Sequence, residues 1–385
     1  MIKVEKIIPG GQSLATADDG KKIFFWNALP GEEVTDFLVT KNKSHYTEAI
    51  ATEVSLHSPY RISPYDECFL STSPWQIMDY DYELSEKQSL VVEMFREHGI
   101  ELPRPSIFTD GNPYFYRNKM EYSLYWDNDE NRISLAFHAR GSHRKIPVKK
   151  SSIERPEIFD TACRIVDDLN RRGEQARKYQ SLLLRCNQDG EVSGGLYENG
   201  KPHPTFLQLT DTILGHTYSY SPNGFFQINL PVYEMALEEM KKHINTSKVL
   251  DLYSGVGTIG LSIARDHELT LVEVDKYAFD EATKNIATLN VGNILGILSR
   301  SEDVLDHIES NQTVILDPPR AGCDSKLIDK LLAVTPPTII YLSCNPATQA
   351  RDVKMLLDKY HISTAMTYNF FPRTPHIENL IVLSL

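Results

Sequence analysis

Long apolar runs are missing from this sequence. No stretch approaches the ~20 residues that a membrane-spanning helix requires, and the opening MIKVEKIIPGG has neither the apolar core nor the cleavage site of a signal peptide. Cysteine is scarce: five residues, an odd number without framework spacing, which excludes a disulfide-stapled fold and points to reduced thiols in a cytoplasmic protein. Internal repeats and low-complexity segments are absent, and nothing singles out a protein partner or a metal-binding cluster. Positive charge is also in deficit, with 40 Lys and Arg against 52 Asp and Glu and a formal net charge of −12. Taken alone, that balance argues against nucleic acid, whose binding relies on neutralising phosphates. The basic charge that is present is local: HARGSHRKIPVKK (138–150) is rich in Lys and Arg and holds no acid, and TKNKSHY (40–46) and YRNK (116–119) are smaller basic groups.

What is there is a soluble, globular composition, 41% hydrophobic and 24% charged, in a chain of 385 residues that allows two or three domains. Residues 1–57 carry short alternating apolar runs broken by GG, DDG and PG turn signals, which predicts a small OB-like β barrel. SPYRISP (58–64) reads as a linker and ELSEKQSLVVEMFREHG (83–99) as a helix stopped by Gly99. The rest of 58–214 is mostly strand-like, with one helix near 156–172. From about 230 the pattern becomes strictly βα: KVLDLYS then TIGLSIARD, LTLVEVD then FDEATKNIATLN, NILGILS then EDVLDHIE, TVILDPP then SKLIDKLLAV, TIIYLSC then ATQARDVKMLLDKY, and a last strand in IENLIVLSL. The expected fold class is therefore α/β: a Rossmann-like, doubly wound sheet over 215–385, preceded by a central mostly β part and the barrel.

The first βα turn reads DLYSGVGTIG (251–260). Gly255, Gly257 and Gly260 spell G-x-G-x-x-G, which alone is a weak dinucleotide signal. Asp251, four residues before Gly255, favours S-adenosylmethionine over NAD: a strand-end carboxylate meets the ammonium of the methionine part but repels a pyrophosphate. Glu273, ending the next strand, suits a pair of ribose hydroxyls, a feature that NAD sites share.

Two further strand ends carry chemistry. ILDPPRAG (315–322) leaves Asp317 at the carboxyl end of its strand, and Arg320 stands where enzymes that methylate amino groups have an aromatic ring. In YLSCNPAT (341–348), Cys344 lies between a strand and the helix start at Pro346, where a helix dipole is expected to lower a thiol pKa. Against this stands the ordinary role of a lone cysteine as a small inert apolar residue. A thiolate serves one class of methyl transfer: added to carbon 6 of uracil, it turns carbon 5 into a nucleophile toward a sulfonium methyl, and a base then removes the carbon 5 proton.

In order and spacing, FFQIN (225–229), DLYSGVGTIGL (251–261), LVEVD (271–275), ILDPPRAG (315–322), YLSCNPATQARD (341–352) and FPRTPHIENLIVL (371–383) resemble the RNA (uracil-5-)-methyltransferases of the TrmA/RumA type, across nearly the whole chain. The resemblance implies a C-terminal class I methyltransferase domain, an N-terminal TRAM domain and methyl transfer from S-adenosylmethionine to a uridine in ribosomal or transfer RNA. It implies Cys344 as nucleophile, Glu378 as the proton-abstracting base and Asp317 as an acid at the uracil edge. Gln227, Asp251, Tyr253, Gly255, Gly257, Glu273 and Asp317 match the cofactor site. Arg117 and Phe226 match positions near the target base. The bland readings are a helix-cap contact for Gln227, a surface ion pair for Arg117 and a structural role for His376. One departure is clear. Many relatives hold an iron–sulfur cluster just after the TRAM domain, a site that normally takes four cysteines, whereas 58–88 has only Cys68; no cluster is expected, and packing is expected to hold this segment. Two other readings stay open: an RNA cytosine-5 methyltransferase, and an RNA-binding or folding factor with a vestigial methyltransferase domain.

Overall fold

A computed structural model describes residues 1–203, 206–289 and 292–385. Five strands, Ile2–Ile7, Ser13–Thr16, Lys22–Trp26, Glu33–Asn42 and Tyr46–Leu56, form a closed barrel. Alternate residues point inward, so Val4, Ala15, Ile23, Phe25, Val34 and Ala49 fill it. The stretch read as a linker is pinned instead. Glu32 is fully buried and requires a counter-charge, which Arg61 supplies with Nε 2.6 Å from its carboxylate.

The central part is a six-stranded antiparallel sheet in the order 201–203, 192–198, 181–186, 119–127, 132–138, 145–147. The helix Pro156–Arg171 buries Ile158, Ala162, Val166 and Leu169, one helical stripe, on this sheet. Between barrel and sheet, the segment around Cys68 is held by polar contacts rather than apolar packing alone. The Asp66 carboxylate accepts from Gln76 Nε2 at 2.9 Å and from Ser152 Oγ at 2.5 Å, all three residues being buried. Cys68 itself is buried, with its sulfur 3.7 Å from the Lys150 carbonyl.

The third layer is an eight-stranded sheet in the order 294–298, 268–273, 248–252, 312–316, 338–343, 378–384, 361–368, 106–108. Counted from Lys248, seven of these strands run 3-2-1-4-5-7-6, and the seventh, Glu378–Ser384, is antiparallel to both neighbours. Ser106–Phe108 extends the edge in parallel with His361–Tyr368. The helix Tyr80–Glu97 buries Leu90, Val91, Met94 and Phe95 in the same core as Ile339, Tyr341 and Leu383. Residues 80–108 thus join the C-terminal sheet in space although they lie within 58–214 in sequence. EDVLDHIE does not form the expected helix; it makes two 3-10 turns, Ser301–Asp303 and Leu305–His307. Eight residues with Asp and Val interspersed are too few to offset helix nucleation without a packed apolar face. Among the described residues, no helix is long and apolar enough to cross a membrane.

Candidate active site

Asp251, Glu273, Asp317, Cys344 and Glu378 stand at or just beyond strand ends along one edge of the eight-stranded sheet. The register explains how residues far apart in sequence meet. Antiparallel pairing runs from Thr338↔Ser384 to Ser343↔Asn379, so its continuation sets Cys344 opposite Glu378. Parallel pairing of Leu316 with Tyr341 and of Leu252 with Leu316 brings Asp317 and the glycine loop beside them. This is the carboxyl edge, where ligands of such sheets bind.

The glycine loop is organised by the two acids that flank it. Asp251 is fully buried; its Oδ2 accepts from the Gly260 amide at 2.8 Å, while its Oδ1 is buried with no partner. Burial, with Asp317 and Glu273 nearby, pushes its carboxyl up to about 8. Glu273 accepts from the Gly255 amide at 2.7 Å and from the Asp275 amide at 2.7 Å. Gly255 has φ +57 with open space where a Cβ would stand, and Tyr253 is also left-handed at φ +65. An orphaned buried carboxylate oxygen beside an open glycine turn fits a ligand that carries a cationic amine.

Cys344 is half-buried, and its thiol is pushed up to about 11 by burial and by Glu378 and Asp317, against the opposing pull of Arg320. The thiol pKa lowering expected from the helix start is therefore not found: the two carboxylates and desolvation outweigh the dipole. Burial alone raises Asp317 to about 7. Burial also holds Glu378, 5% exposed, well above the ordinary carboxyl range, with Asp317 adding to the effect. Arg320 is a side chain beside these groups to which sequence reasoning gave no role. It is exposed, its charge favours the thiolate of Cys344, and it shares a 3.1 Å contact with Nδ1 of His376. Its backbone carbonyl accepts from Asn345 at 2.8 Å and Thr348 at 3.1 Å, which ties the DPPR turn to the cysteine's own helix. His376 is pushed down to about 4 by burial and by the cations Arg320, Lys87, Arg117 and Arg140.

The remaining expected residues divide. Gln227 is half-buried on a loop whose backbone is gripped from the central sheet: Asn118 donates to the Gln227 carbonyl at 3.0 Å and Arg185 to the Phe226 carbonyl at 2.6 Å. Arg117, half-buried, donates Nε to the Lys119 carbonyl at 2.8 Å, and its charge reaches His376. Phe226 does not open onto a base pocket; it is 3% exposed and stacks on Tyr220 at 3.9 Å, because alternation along FFQIN turns it into the core and leaves Phe225 exposed. The loop that carries His376 and Glu378 is locked from the helix Tyr80–Glu97. Glu83, fully buried, accepts from the Arg373 amide at 3.0 Å and pairs with Lys87 at 3.0 Å, and Lys87 also donates to the Phe371 carbonyl at 3.0 Å.

The strand order with its antiparallel seventh strand, and the acid-flanked glycine turn at its edge, define a class I methyltransferase fold. Residues 207–385 match the family model described as tRNA (Uracil-5-)-methyltransferase. An uncharacterized RNA methyltransferase of Bacillus cereus is 28% identical, over 94% of this chain and 91% of that one. Another, from Enterococcus faecalis, is 27% identical over 100% and 97%. The crystal structure of Pyrococcus abyssi tRNA (uracil-54, C5)-methyltransferase in complex with S-adenosyl-L-homocysteine aligns over 100% of both chains with a TM-score of 0.79 and 22% identity. Residues 207–385 thus resemble an RNA (uracil-5-)-methyltransferase domain, and the chain as a whole resembles proteins named as RNA methyltransferases.

Proposed function

We propose that this protein methylates carbon 5 of a uridine in RNA through a covalent adduct between Cys344 and carbon 6. The observation that carries the reading is the strand register that sets a thiol opposite a buried carboxylate, beside Asp317 and next to the glycine turn. S-adenosylmethionine, when bound, supplies a methyl group made electrophilic by its sulfonium. Asp251 meets the methionine ammonium, Glu273 the ribose hydroxyls, and Tyr253, Gly255, Gly257 and Gln227 complete the cradle. Asp317 and Arg320 face the uracil edge. Cys344, as thiolate, forms the sulfur–carbon bond at carbon 6, and the electron pair passes to the carbonyl oxygen. Carbon 5 would then accept the methyl group, with S-adenosylhomocysteine as the leaving group; Glu378 removes the carbon 5 proton, and the sulfur–carbon bond breaks to release methylated RNA and the thiolate. Reading the target uridine in folded RNA requires extruding it from its stack. We assign residues 1–57 and the central 58–214 to holding the RNA and 215–385 to the chemistry.

The decisive experiment is incubation of the purified protein with unmodified transfer and ribosomal RNA, followed by nucleoside analysis. The reading expects 5-methyluridine in one of the two RNA classes. Formation of 5-methylcytidine, or of no methylated pyrimidine, overturns it.

The glycine turn also sets a pH dependence. Asp251 carries its proton up to about pH 8 in the free protein, and a bound ammonium favours the ionised form. Cofactor binding therefore expels a proton, so affinity falls about tenfold for each pH unit below 8. Calorimetry between pH 6 and 7.5 is expected to show that slope and a matching proton release, and Asp251→Asn is expected to bind more weakly with the slope gone.

A further inference from the structure

Tyr65, Tyr114 and Phe115 form an aromatic surface that the chemistry above does not use. Phe115 is 46% exposed and left-handed at φ +57, a conformation that bulky side chains rarely adopt. Neighbouring backbone pairing forces it there. The Phe115 amide donates to the Ser152 carbonyl at 2.8 Å and the Arg117 amide to the Ile153 carbonyl at 2.9 Å, while the Tyr116 hydroxyl, between them, is tied at 3.0 Å to the Pro372 carbonyl of the His376 loop. The backbone that carries the exposed ring is thus pinned on both sides, and its neighbour Tyr116 is tied to the loop that leads to Glu378. No aromatic or cationic side chain among the described residues covers it, whereas its neighbours are layered: Lys150 over Tyr65 at 3.5 Å, Tyr65 to Tyr114 at 5.2 Å, and Arg373 over Tyr114 at 5.1 Å.

We propose that Phe115 is a stacking platform for an unpaired RNA base adjacent to the methylated uridine, with Lys150 receiving the flanking phosphate, so that the substrate is recognised as a single strand rather than as a duplex. This rests on the RNA reading above. Rigid exposed rings beside cations are what a single strand requires, because each unstacked base offers a face to stack and each linkage a charge. Duplex RNA keeps its bases stacked and offers no such face. Positive charge is at hand despite the acidic chain: Lys150 is exposed and lies over Tyr65.

The test uses the full chain and a short uridine-centred oligoribonucleotide with 2-aminopurine on one side of the uridine, free and annealed to its complement. The wild type is expected to bind the free strand more tightly than the duplex and to quench the fluorophore. Phe115→Ala is expected to weaken single-strand binding about tenfold and abolish the quench, raising KM more than it lowers kcat, while Phe115→Trp restores both. S-adenosylhomocysteine affinity and the melting temperature stay at wild-type values. Single-strand binding by Phe115→Ala within twofold of wild type, or a Trp variant as weak as Ala, overturns the proposal. If the wild type makes no 5-methyluridine, the functional reading has failed; if it does and Phe115→Ala matches it, the platform alone has failed.

Discussion

Cys344→Ala is expected to reduce methyl transfer by a factor on the order of 10⁴ or more, to background, while cofactor binding stays within about twofold of wild type. The magnitude follows from what the sulfur does. Carbon 5 of uracil has little nucleophilicity until a group adds to carbon 6, so no other residue in the site substitutes for the thiol. The selectivity follows from geometry. Cys344 lies on the strand-end turn before Pro346, two strands from the Asp251 turn, and its truncation leaves the Gly260 and Gly255 hydrogen bonds untouched. Its thiol is pushed up to about 11 in the free protein by burial and by Glu378 and Asp317. Tritium release from labelled uridine and calorimetry on one preparation check both halves. Methylation near the wild-type rate would remove Cys344 from the reaction.

Glu378→Gln is expected to give a different phenotype: RNA that remains attached to protein. The amide keeps the shape of the buried side chain but cannot accept the carbon 5 proton, so the reaction stops after methyl transfer with the sulfur–carbon bond intact. Denaturing electrophoresis with labelled RNA is expected to show a near-stoichiometric protein–RNA band, absent when Cys344→Ala is added. A Glu378→Gln enzyme that turns over normally without such a band refutes the assignment. The same substitution carries a stability signature. Folding raises the Glu378 carboxyl well above its ordinary value, so the folded form binds the proton more tightly than the unfolded chain does. That contribution is complete below the unfolded value and is lost as pH rises toward the folded one, so the wild-type protein is destabilised at pH 8 by keeping or ionising this group. Glu378→Gln is expected to melt above wild type at pH 8 without ligands, with the difference vanishing near pH 4.

Much of the site could be read from the chain because the residues concerned end strands in strongly periodic βα segments. Hydrophobic runs located Leu252, Leu316 and Ser343, and the polar residue after or within each run marked the binding edge. The barrel was legible for the same reason, as short alternating runs with clear turn residues. Other features carried no such signal. Glu83 and Lys87 sit four apart on a helix, the spacing of an ordinary solvated pair, yet both are fully buried beneath the Arg373 loop. Phe225 and Phe226 are adjacent, and composition does not say which one faces inward. Arg320 stood out only as a departure from an aromatic motif, and its partners come from segments 24 and 56 residues away, Cys344 and His376. The helix dipole at Cys344 is a sound local argument, but burial and two carboxylates delivered by other strands outweigh it. EDVLDHIE failed because a short apolar spacing alone does not distinguish a helix from successive turns.

The position of Glu378–Ser384 between 338–343 and 361–368 has a consequence for folding. This segment follows 361–368 in sequence, yet it is an interior plank of the sheet and not an edge added to a finished one. Until it threads into place, 361–368 has nothing to pair with on that side, and 338–343 presents an open row of amides and carbonyls. Cys344 and Glu378 therefore come to face one another only when this strand has paired with 338–343.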